Sequence, residues 1–510
     1  MEKKQSKKTW NLFSLVVLLL LAAAEAVFML RIWKLKMLPG KYFLLLAGAV
    51  LLFTGLICLL LFQKKGGKWQ KSVSHGKQIA GYLLCAVIIG LCLVGQTAIG
   101  QVQGTIDTIT APQKVSVVLE IYVRADDPAE FLQDTAGYTF ALPQDITEAE
   151  IQPVLQELEE LLGQNFSTAA YPNAAAQLDA LLSGEADAIV LNSAYLTILR
   201  EEEEYAEIDT QLKLLHEKVV EKEVTYLPPI PNRDVKSEEL DISEDAFLMY
   251  ISGIDGRHSV NSVGRSDVNI LVVANLETHQ ILMINTPRDY YIVNPAGGEG
   301  AWDKLTHCGV AGIENSVAAI SHLYGWPIDY YAKINFTGLE TLIDAIGGVT
   351  VYSEHSFNAA ARYPIHKGEN HLNGEEALAF ARERKRLPGG DNDRGKNQMR
   401  LIEGIVNQLS AGNLLANYGQ ILESLEGMFT TSMPAEEIGR VIQLQLSQMP
   451  QWEIRSFAVT GDNDVDHCWA SGWYSYVMKP HEHVVQQASD LIEKVMTGQL
   501  LTDEDLILSD

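Results

Sequence analysis

Cysteine is scarce, with five in 510 residues. Cys58, Cys85 and Cys92 fall inside apolar runs, where they serve as small apolar fillers. Only Cys308 and Cys468 lie elsewhere. The scaffold is therefore not disulfide-dense, and a single bridge between those two stays open. Positive charge is scarce as well, with 39 Lys and Arg against 65 Asp and Glu, a net of −26. Residues 1–100 take 13 of the basic residues and only Glu2 and Glu25 of the acids. That leaves 26 basic against 63 acidic residues downstream, a net of −37, which makes a poor nucleic-acid binder, and no nucleic-acid partner is expected. It also makes any local cluster of arginines informative. There is no P-loop, no GxSxG and no HExxH. His307, His355, His366, His371, His467, His481 and His483 show no metal-ligand spacing and read as surface or capping residues.

Long apolar runs are present. Phe13–Leu30, Phe43–Phe62 and Ile79–Gly100 each have the length to span a bilayer. The first carries Glu25 and leads to no small-x-small cleavage site, so it reads as a span, not a cleaved signal peptide. The N-terminal tail carries Lys3, Lys4, Lys7 and Lys8, and the loop between the second and third runs carries Lys64, Lys65, Lys68, Lys71 and Lys77. The intervening loop has Arg31, Lys34, Lys36 and Lys41. Nine basic residues against four favour a cytoplasmic N-terminus. A multi-pass cell-membrane protein follows, with everything after Gly100 extracellular.

Residues 101–226 read as a small α/β accessory domain entered through a polar linker, Gln101–Lys114. Strands are expected over Val115–Val123, Tyr138–Leu142 and Ala186–Leu191, and helices over Thr147–Leu162, Asn173–Leu182 and Ala194–Glu204. The domain resembles half of a solute-binding protein and carries no catalytic constellation. A Pro- and acid-rich linker, 227–245, precedes a second domain over 246–510. Its strands are expected at Phe247–Ser252, Val268–Ala274, Gln280–Thr286, Tyr331–Ile334, Val349–Val351 and Glu453–Val459. Helices are expected at Val310–Leu323, Phe336–Ile346, Gly374–Arg382, Arg394–Leu409, Leu414–Met428, Pro434–Leu446 and His481–Met496. The near-continuous apolar strands are those of a buried sheet with helices on both faces.

Four groups in this domain carry the chemistry. Asp255, in GIDGR, and Asp267, in RSD beside Arg265, sit at neighbouring strand ends and suit a divalent cation held partly by substrate phosphate. Arg288 follows the next strand, at a strand end where α/β sheets bind ligands. Lys304 precedes a helix and is a further candidate phosphate contact. The fourth group is Phe380–Arg400, FARERKRLPGGDNDRGKNQMR. Its basic side chains converge on a loop feeding a helix N-terminus, which suits a multiply charged phosphate ligand.

In order and spacing, GIDGR, RSDVNILVVAN, INTPRDYY, DKLTHCG, LIDAIGGV, LNGEEALAFARER and DNDRGKNQ resemble the blocks of the LytR-CpsA-Psr family over Phe247–Ser410. Three spans followed by an extra domain resemble its capsule-biosynthesis CpsA branch. The resemblance implies an α-β-α sandwich catalytic domain. It also implies a transfer of glycan phosphate from a polyprenyl-pyrophosphate carrier to peptidoglycan, with Mg²⁺ or Mn²⁺. Asp255 and Asp267 would then hold the metal, and Arg288, Arg382, Arg384, Arg394 and Gln398 the pyrophosphate, with Lys304, Arg265 and Asp391 as substrate contacts. Lys385, Arg386, Lys396 and Arg400 fall back to solvated positions. One departure is Asn392-Asp393-Arg394-Gly395, where many members carry a Phe before Gly-Arg.

The expectation is a membrane-anchored phosphotransferase in a Gram-positive-type envelope. It would join capsule or another glycopolymer to the wall, possess a pyrophosphatase side reaction, and work beside capsule export and assembly proteins. The competing expectation is a non-catalytic assembly factor that binds lipid-linked polysaccharide and controls its export or chain length.

Overall fold

A computed structural model describes residues 2–65, 68–71, 74–110, 114–144, 148–163, 165–200, 203–223, 240, 242–254, 260–298, 300–409, 421, 424–425 and 427–508. Three helices open the chain: α1 Glu2–Leu35, α2 Gly40–Leu61 and α3 His75–Ile109. Phe13–Leu35, Gly40–Leu61 and His75–Ile109 are each long and apolar enough to cross a membrane. Leu19, Leu44, Leu52 and Leu91 stay well exposed, as side chains facing lipid do. Glu25 is buried within α1 and accepts the Thr54 hydroxyl of α2 through both carboxylate oxygens, at 2.8 and 2.9 Å. The polar linker expected from Gln101 is corrected: α3 runs on to Ile109. Ile106 and Ile109, three residues apart on one helical face, are both buried and extend the helix.

Residues Pro434–Pro450 group with these helices. Helix Ala435–Gln448 meets the loop between α1 and α2: Lys36 pairs with Glu436 at 2.7 Å, and Lys41 donates to the Ser447 carbonyl at 2.6 Å.

Residues Ile109–Met433 and Gln451–Asp510 form the other compact unit. Its first layer is a five-stranded sheet. The strands are β1 Lys114–Arg124, β2 Thr139–Pro143, β3 Ser167–Tyr171, β4 Ala188–Asn192 and β5 Leu212–Glu223, in the order β3-β2-β4-β1-β5. Helix α4, Glu148–Leu162, packs Ile151, Val154 and Leu158 against one face. Helices α5, Ala174–Ser183, and α6, Ser193–Leu199, pack Leu178, Leu181, Leu196 and Leu199 against the other. The two strands that periodicity did not reveal, β3 and β5, are the sheet edges. One is short and the other is laced with Lys and Glu, the usual protection of an unpaired edge.

The second layer holds a six-stranded mixed sheet. In chain order its strands are β6 Ala246–Ile254, β7 Ser266–Asn275, β8 Gln280–Asn285, β9 Tyr330–Asn335, β10 Phe429–Thr431 and β11 Glu453–Ala458. The spatial order is β10-β9-β6-β7-β8-β11, with β6–β9 and β8–β11 parallel and the other pairs antiparallel. Alternation along β7 and β8 splits their side chains between two cores. Leu271, Val273, Leu282 and Ile284 face helices α7, Ile313–Tyr324, and α11, Glu482–Met496. Ile270 and Met283 face Met399 of α10, Asp391–Gln408. This is the α-β-α sandwich. A further core forms where Leu401 of α10 meets Val349, Val351, Ile343 and Phe380. The latter two come from α8, Phe336–Ala345, and α9, Gly374–Arg382. Helix α10 is therefore clamped from two sides. The helix expected over Leu414–Met428 lies mostly outside the described residues.

Lys333 of β9 is buried and donates to the Ser262 carbonyl at 2.6 Å. Burial pushes its ammonium from 10.5 down to about 8, against the pull of Glu314. Between those values the unfolded chain binds the extra proton, so this residue makes stability rise with pH over that window. The expected outcome is that urea unfolding of the detergent-solubilised chain shows this rise between about pH 8 and 10, and that Lys333→Met removes it. Parallel pH profiles for the two proteins would contradict the assignment.

Candidate active site

Asp267 opens β7 beside Arg265, and Arg288 follows β8 on the antiparallel neighbour. This brings the Arg288 guanidinium to Asp267 Oδ1 at 2.9 Å, with both side chains 12% exposed. The Thr306 hydroxyl also reaches Asp267 Oδ1, at 3.4 Å, and the Thr306 amide donates to the Arg288 carbonyl. Burial raises the Asp267 carboxyl, but Arg288 and Arg265 outweigh it and hold the group below its ordinary range. Asp267 is thus an anion at neutral pH. Asp289 lies 3.7 Å from Arg288 Nε.

The second half of the site is the Phe380–Arg400 stretch. Helix α9 ends at Arg382, whose guanidinium stacks over the Phe336 ring at 4.7 Å. Glu383 then turns inward and organises the loop. It accepts the backbone amides of Arg384, Arg386 and Ala360 at 3.1, 3.2 and 3.1 Å, and the Arg386 side chain at 2.9 Å. Burial raises the Glu383 carboxyl, and these bonds bring it below its ordinary value. Gly390, at φ +56°, leads into α10, and Asp393 accepts the Gly389 amide at 2.8 Å. Arg394 sits in the first turn, paired with Asp391 at 2.6 Å. Burial lowers the Arg394 guanidinium and raises the Asp391 carboxyl, and each partner opposes the other's shift. Gln398, one turn on, donates to the Ala381 carbonyl at 3.3 Å and ties α10 to α9. Gly395 lies against the Asn285 side chain at the end of β8, where a Cβ would collide. That close approach carries Arg394 and Gln398 to the strand ends bearing Asp267 and Arg288.

The result is one cavity of about 580 Å³. Arg265, Arg288, Arg382, Arg384, Lys385 and Arg394 line it, against the carboxylates of Asp267, Glu375 and Glu383. Gln398 completes the polar part, and Phe336, Leu378, Ala379 and Tyr363 supply an apolar wall. A surplus of guanidinium forks beside an apolar surface suits an amphiphile with a phosphate or pyrophosphate head.

The fold brings seven of the sequence candidates to this cavity: Arg265, Asp267, Arg288, Arg382, Arg384, Arg394 and Gln398. Asp391 stands behind it as the partner of Arg394. Asp255 lies outside the described residues. Lys304 is not among the lining residues. It sits on a short strand, Trp302–Lys304, paired with Tyr291–Val293, and its side chain is buried there.

Lys385, read as solvated, is corrected to a lining residue, because Glu383 folds the loop back toward the cavity. Arg386, Lys396 and Arg400 are instead engaged by Glu383, Asp393 and Glu354. His307 is corrected from a surface position. It is 1% exposed and bonded through Nδ1 to Asp303 at 2.6 Å, four residues earlier. Glu383 and Thr306 lie inside the family-like blocks but are not singled out there, since their roles depend on backbone amides and a neighbour across the fold.

Cys308 and Cys468 are both buried free thiols. Among the described residues, two groups gather metal-capable side chains, Asp303–His307–Cys468 and Glu354–His355–Asp393. Neither is at the cavity wall. Asp303 is already committed to the Lys304 and Ala470 amides, Asn294 and His307. At the cavity itself, the anionic Asp267 carboxylate with the Thr306 hydroxyl is a hard oxygen donor set. It fits a Mg²⁺-type cation that takes further oxygens from a phosphate.

Residues 221–491 match the LytR_cpsA_psr family. Among curated relatives, the polyisoprenyl-teichoic acid–peptidoglycan teichoic acid transferase TagU of Bacillus licheniformis is 32% identical over 197 residues, covering 38% of this chain and 63% of that protein. The protein of the same name from Bacillus subtilis is 32% identical over 200 residues, covering 39% and 64%. That from Bacillus cereus is 30% identical over 244 residues, covering 47% and 77%. The crystal structure of B. subtilis TagV is 23% identical with a TM-score of 0.42, covering 51% of this chain and 100% of that one. The match thus spans 63% of the length of the B. licheniformis relative. With more than half of its residues matching the family and its motif residues gathered on one cavity, the chain belongs to the LytR_cpsA_psr family.

Proposed function

We propose that this protein is a membrane-anchored phosphotransferase that moves a glycopolymer from a polyprenyl-pyrophosphate carrier onto peptidoglycan. The observation that carries the reading is the convergence of six cationic side chains and Asp267 on one cavity with an apolar wall, in a strongly acidic chain. The transferases named among its relatives support it. In the reaction, an acceptor hydroxyl of the wall attacks the phosphorus bonded to the glycan. The new P–O bond forms as the bridging P–O bond breaks, the hydroxyl proton is released to solvent, and polyprenyl phosphate departs with the bridging oxygen. Arg288, Arg394, Arg382, Arg384 and Lys385 neutralise the phosphate charge and hold it in line. Positioning of the two oxygens and neutralisation of the phosphate charge are what these side chains supply to the rate. The prenyl chain lies along Phe336, Leu378 and Ala379. A bound divalent cation, held by Asp267 with Asp255 and the phosphates, would supply further charge neutralisation.

The extracellular topology is part of this proposal. Lys36 and Lys41 weigh against it when loop charges are simply counted. Both are engaged by helix Ala435–Gln448, Lys36 with Glu436 and Lys41 with the Ser447 carbonyl, which supports reading that loop apart from a simple charge count. The polymer is capsule or a related wall glycan, in a Gram-positive-type envelope.

The test incubates the solubilised full chain with Mg²⁺, a lipid-pyrophosphate glycan and peptidoglycan, and measures prenyl phosphate release and wall-linked glycan. Wild type is expected to produce both, and Arg288→Ala to lower kcat/KM by about 10²-fold. Equal turnover in Arg288→Ala contradicts the site. Binding without turnover in wild type identifies an assembly factor, and release without wall linkage identifies a pyrophosphatase. Gly395→Ala is expected to raise the donor KM and cost about 1–3 kcal/mol of stability, because the added methyl pushes α10 from β8. Unchanged kinetics and melting would show that this close approach does not set the site.

A further inference from the structure

A second cavity, of about 180 Å³, opens between the two layers of the larger unit. Its walls come from both. Glu120 and Tyr122 project from β1, Thr197 from α6 and Arg200 from the residue after α6. Arg265 and Asp267 come from the start of β7, and these same two residues line the phosphate cavity. They form the partition between the cavities. None of the apolar wall residues Phe336, Leu378 and Ala379 reaches the second cavity.

The accessory layer is fastened at this place. Ser116 of β1 exchanges backbone hydrogen bonds with Asn261 and Val263, each at 3.0 Å, just before Arg265. Ala194 and Ile198 of α6 are buried with Val310 and Ala470. Tyr205 meets the Trp473 ring edge-on at 6.1 Å. The polar side chains are held ready: Tyr122 donates to Glu120 at 2.9 Å, and Arg200 bonds Asp209 at 3.0 Å through Nε.

We propose that the accessory domain completes the active site by supplying a subsite for a sugar ring of the acceptor glycan. This rests on the transferase reading above. A carboxylate, a phenol, a hydroxyl and a guanidinium around a small cavity that also offers Leu196 and Val263 match the mixed polar and apolar faces of a pyranose. Glu120 and Asp267 balance Arg200 and Arg265, which leaves no surplus of positive charge for a bare phosphate. The choice of the acceptor over the donor's own sugar follows from in-line displacement, in which the nucleophile enters opposite the leaving group. The leaving prenyl phosphate is assigned to the apolar wall. The second cavity shares Arg265 and Asp267 with the phosphate cavity and none of Phe336, Leu378 and Ala379, so the nucleophile is assigned to that side.

The test uses the solubilised full chain, a lipid-pyrophosphate glycan donor and a soluble N-acetylglucosamine–N-acetylmuramic acid oligosaccharide acceptor. Arg200→Ala removes a polar contact, and Thr197→Phe fills the cavity. Each is expected to raise the acceptor KM by about tenfold, the scale of one lost charged hydrogen bond, while the donor KM and melting temperature stay put. Calorimetric binding of the acceptor oligosaccharide alone is expected to weaken in parallel, and this readout needs no turnover. If wild type binds the oligosaccharide but transfers nothing, the transferase reading fails and the subsite stands. If acceptor KM and binding are unchanged in both variants, or only the donor KM shifts, the subsite proposal is overturned. Should one variant fail to fold, the other carries the same comparison.

Discussion

The contact on which the site depends is the ion pair between Asp267 and Arg288, at 2.9 Å and almost shielded from water. Guanidinium groups gathered at low exposure repel one another, and desolvation adds to that cost. Asp267 offsets it at the strand ends, Asp391 offsets it at the start of α10, and Glu383 fastens the loop between them. The balance is incomplete by design of the fold: six cationic side chains meet three carboxylates on the cavity wall. In the proposed reaction a phosphate-bearing ligand supplies the missing charge. Coulombic attraction there acts through a partly dry environment and is stronger than at an open surface.

Two features give that charge a direction. The apolar wall built from α8 and α9 lies beside the guanidinium groups, so a lipid phosphate can place its chain and its head at once. The partition of Arg265 and Asp267 faces a second cavity bounded by the accessory layer, with Glu120, Tyr122, Thr197 and Arg200 on its wall. In the proposed reaction the two cavities correspond to leaving group and nucleophile. Three N-terminal helices are long and apolar enough to cross a membrane, and in the proposed reaction they anchor an enzyme whose donor is prenyl-linked.

Much of this was legible in the sequence, for reasons that can be named. Arg288, Arg394 and Asp267 stand at strand and helix ends, where the alternation of apolar runs and turn residues is readable along the chain. The central strands and Gly374–Arg382 have the periodicities of their elements, and the structure places them accordingly. What escaped depends on distant partners. Lys385 turns to the cavity only because Glu383 gathers three backbone amides. His307 is buried with its Nδ1 hydrogen-bonded to Asp303 Oδ1. The hairpin of Gly461–Cys468 and Trp473–Pro480 was not expected, because GDNDVDHC has the polarity of a loop. The cavity shared by Arg265 and the accessory domain needed the docking of Ser116 onto Asn261 and Val263, which no local pattern announces.

The central claim is that the arginine-lined cavity recognises a pyrophosphate carried on a lipid. The direct measurement is calorimetric binding of a short prenyl pyrophosphate and the matching prenyl monophosphate to the solubilised chain, for wild type and for Arg288→Ala/Arg394→Ala. The account predicts that the pyrophosphate binds wild type at least about tenfold more tightly than the monophosphate, as one extra charged contact implies. It also predicts that the double variant loses this preference. Equal affinity for the two lipids, or a preference that survives both substitutions, would contradict it.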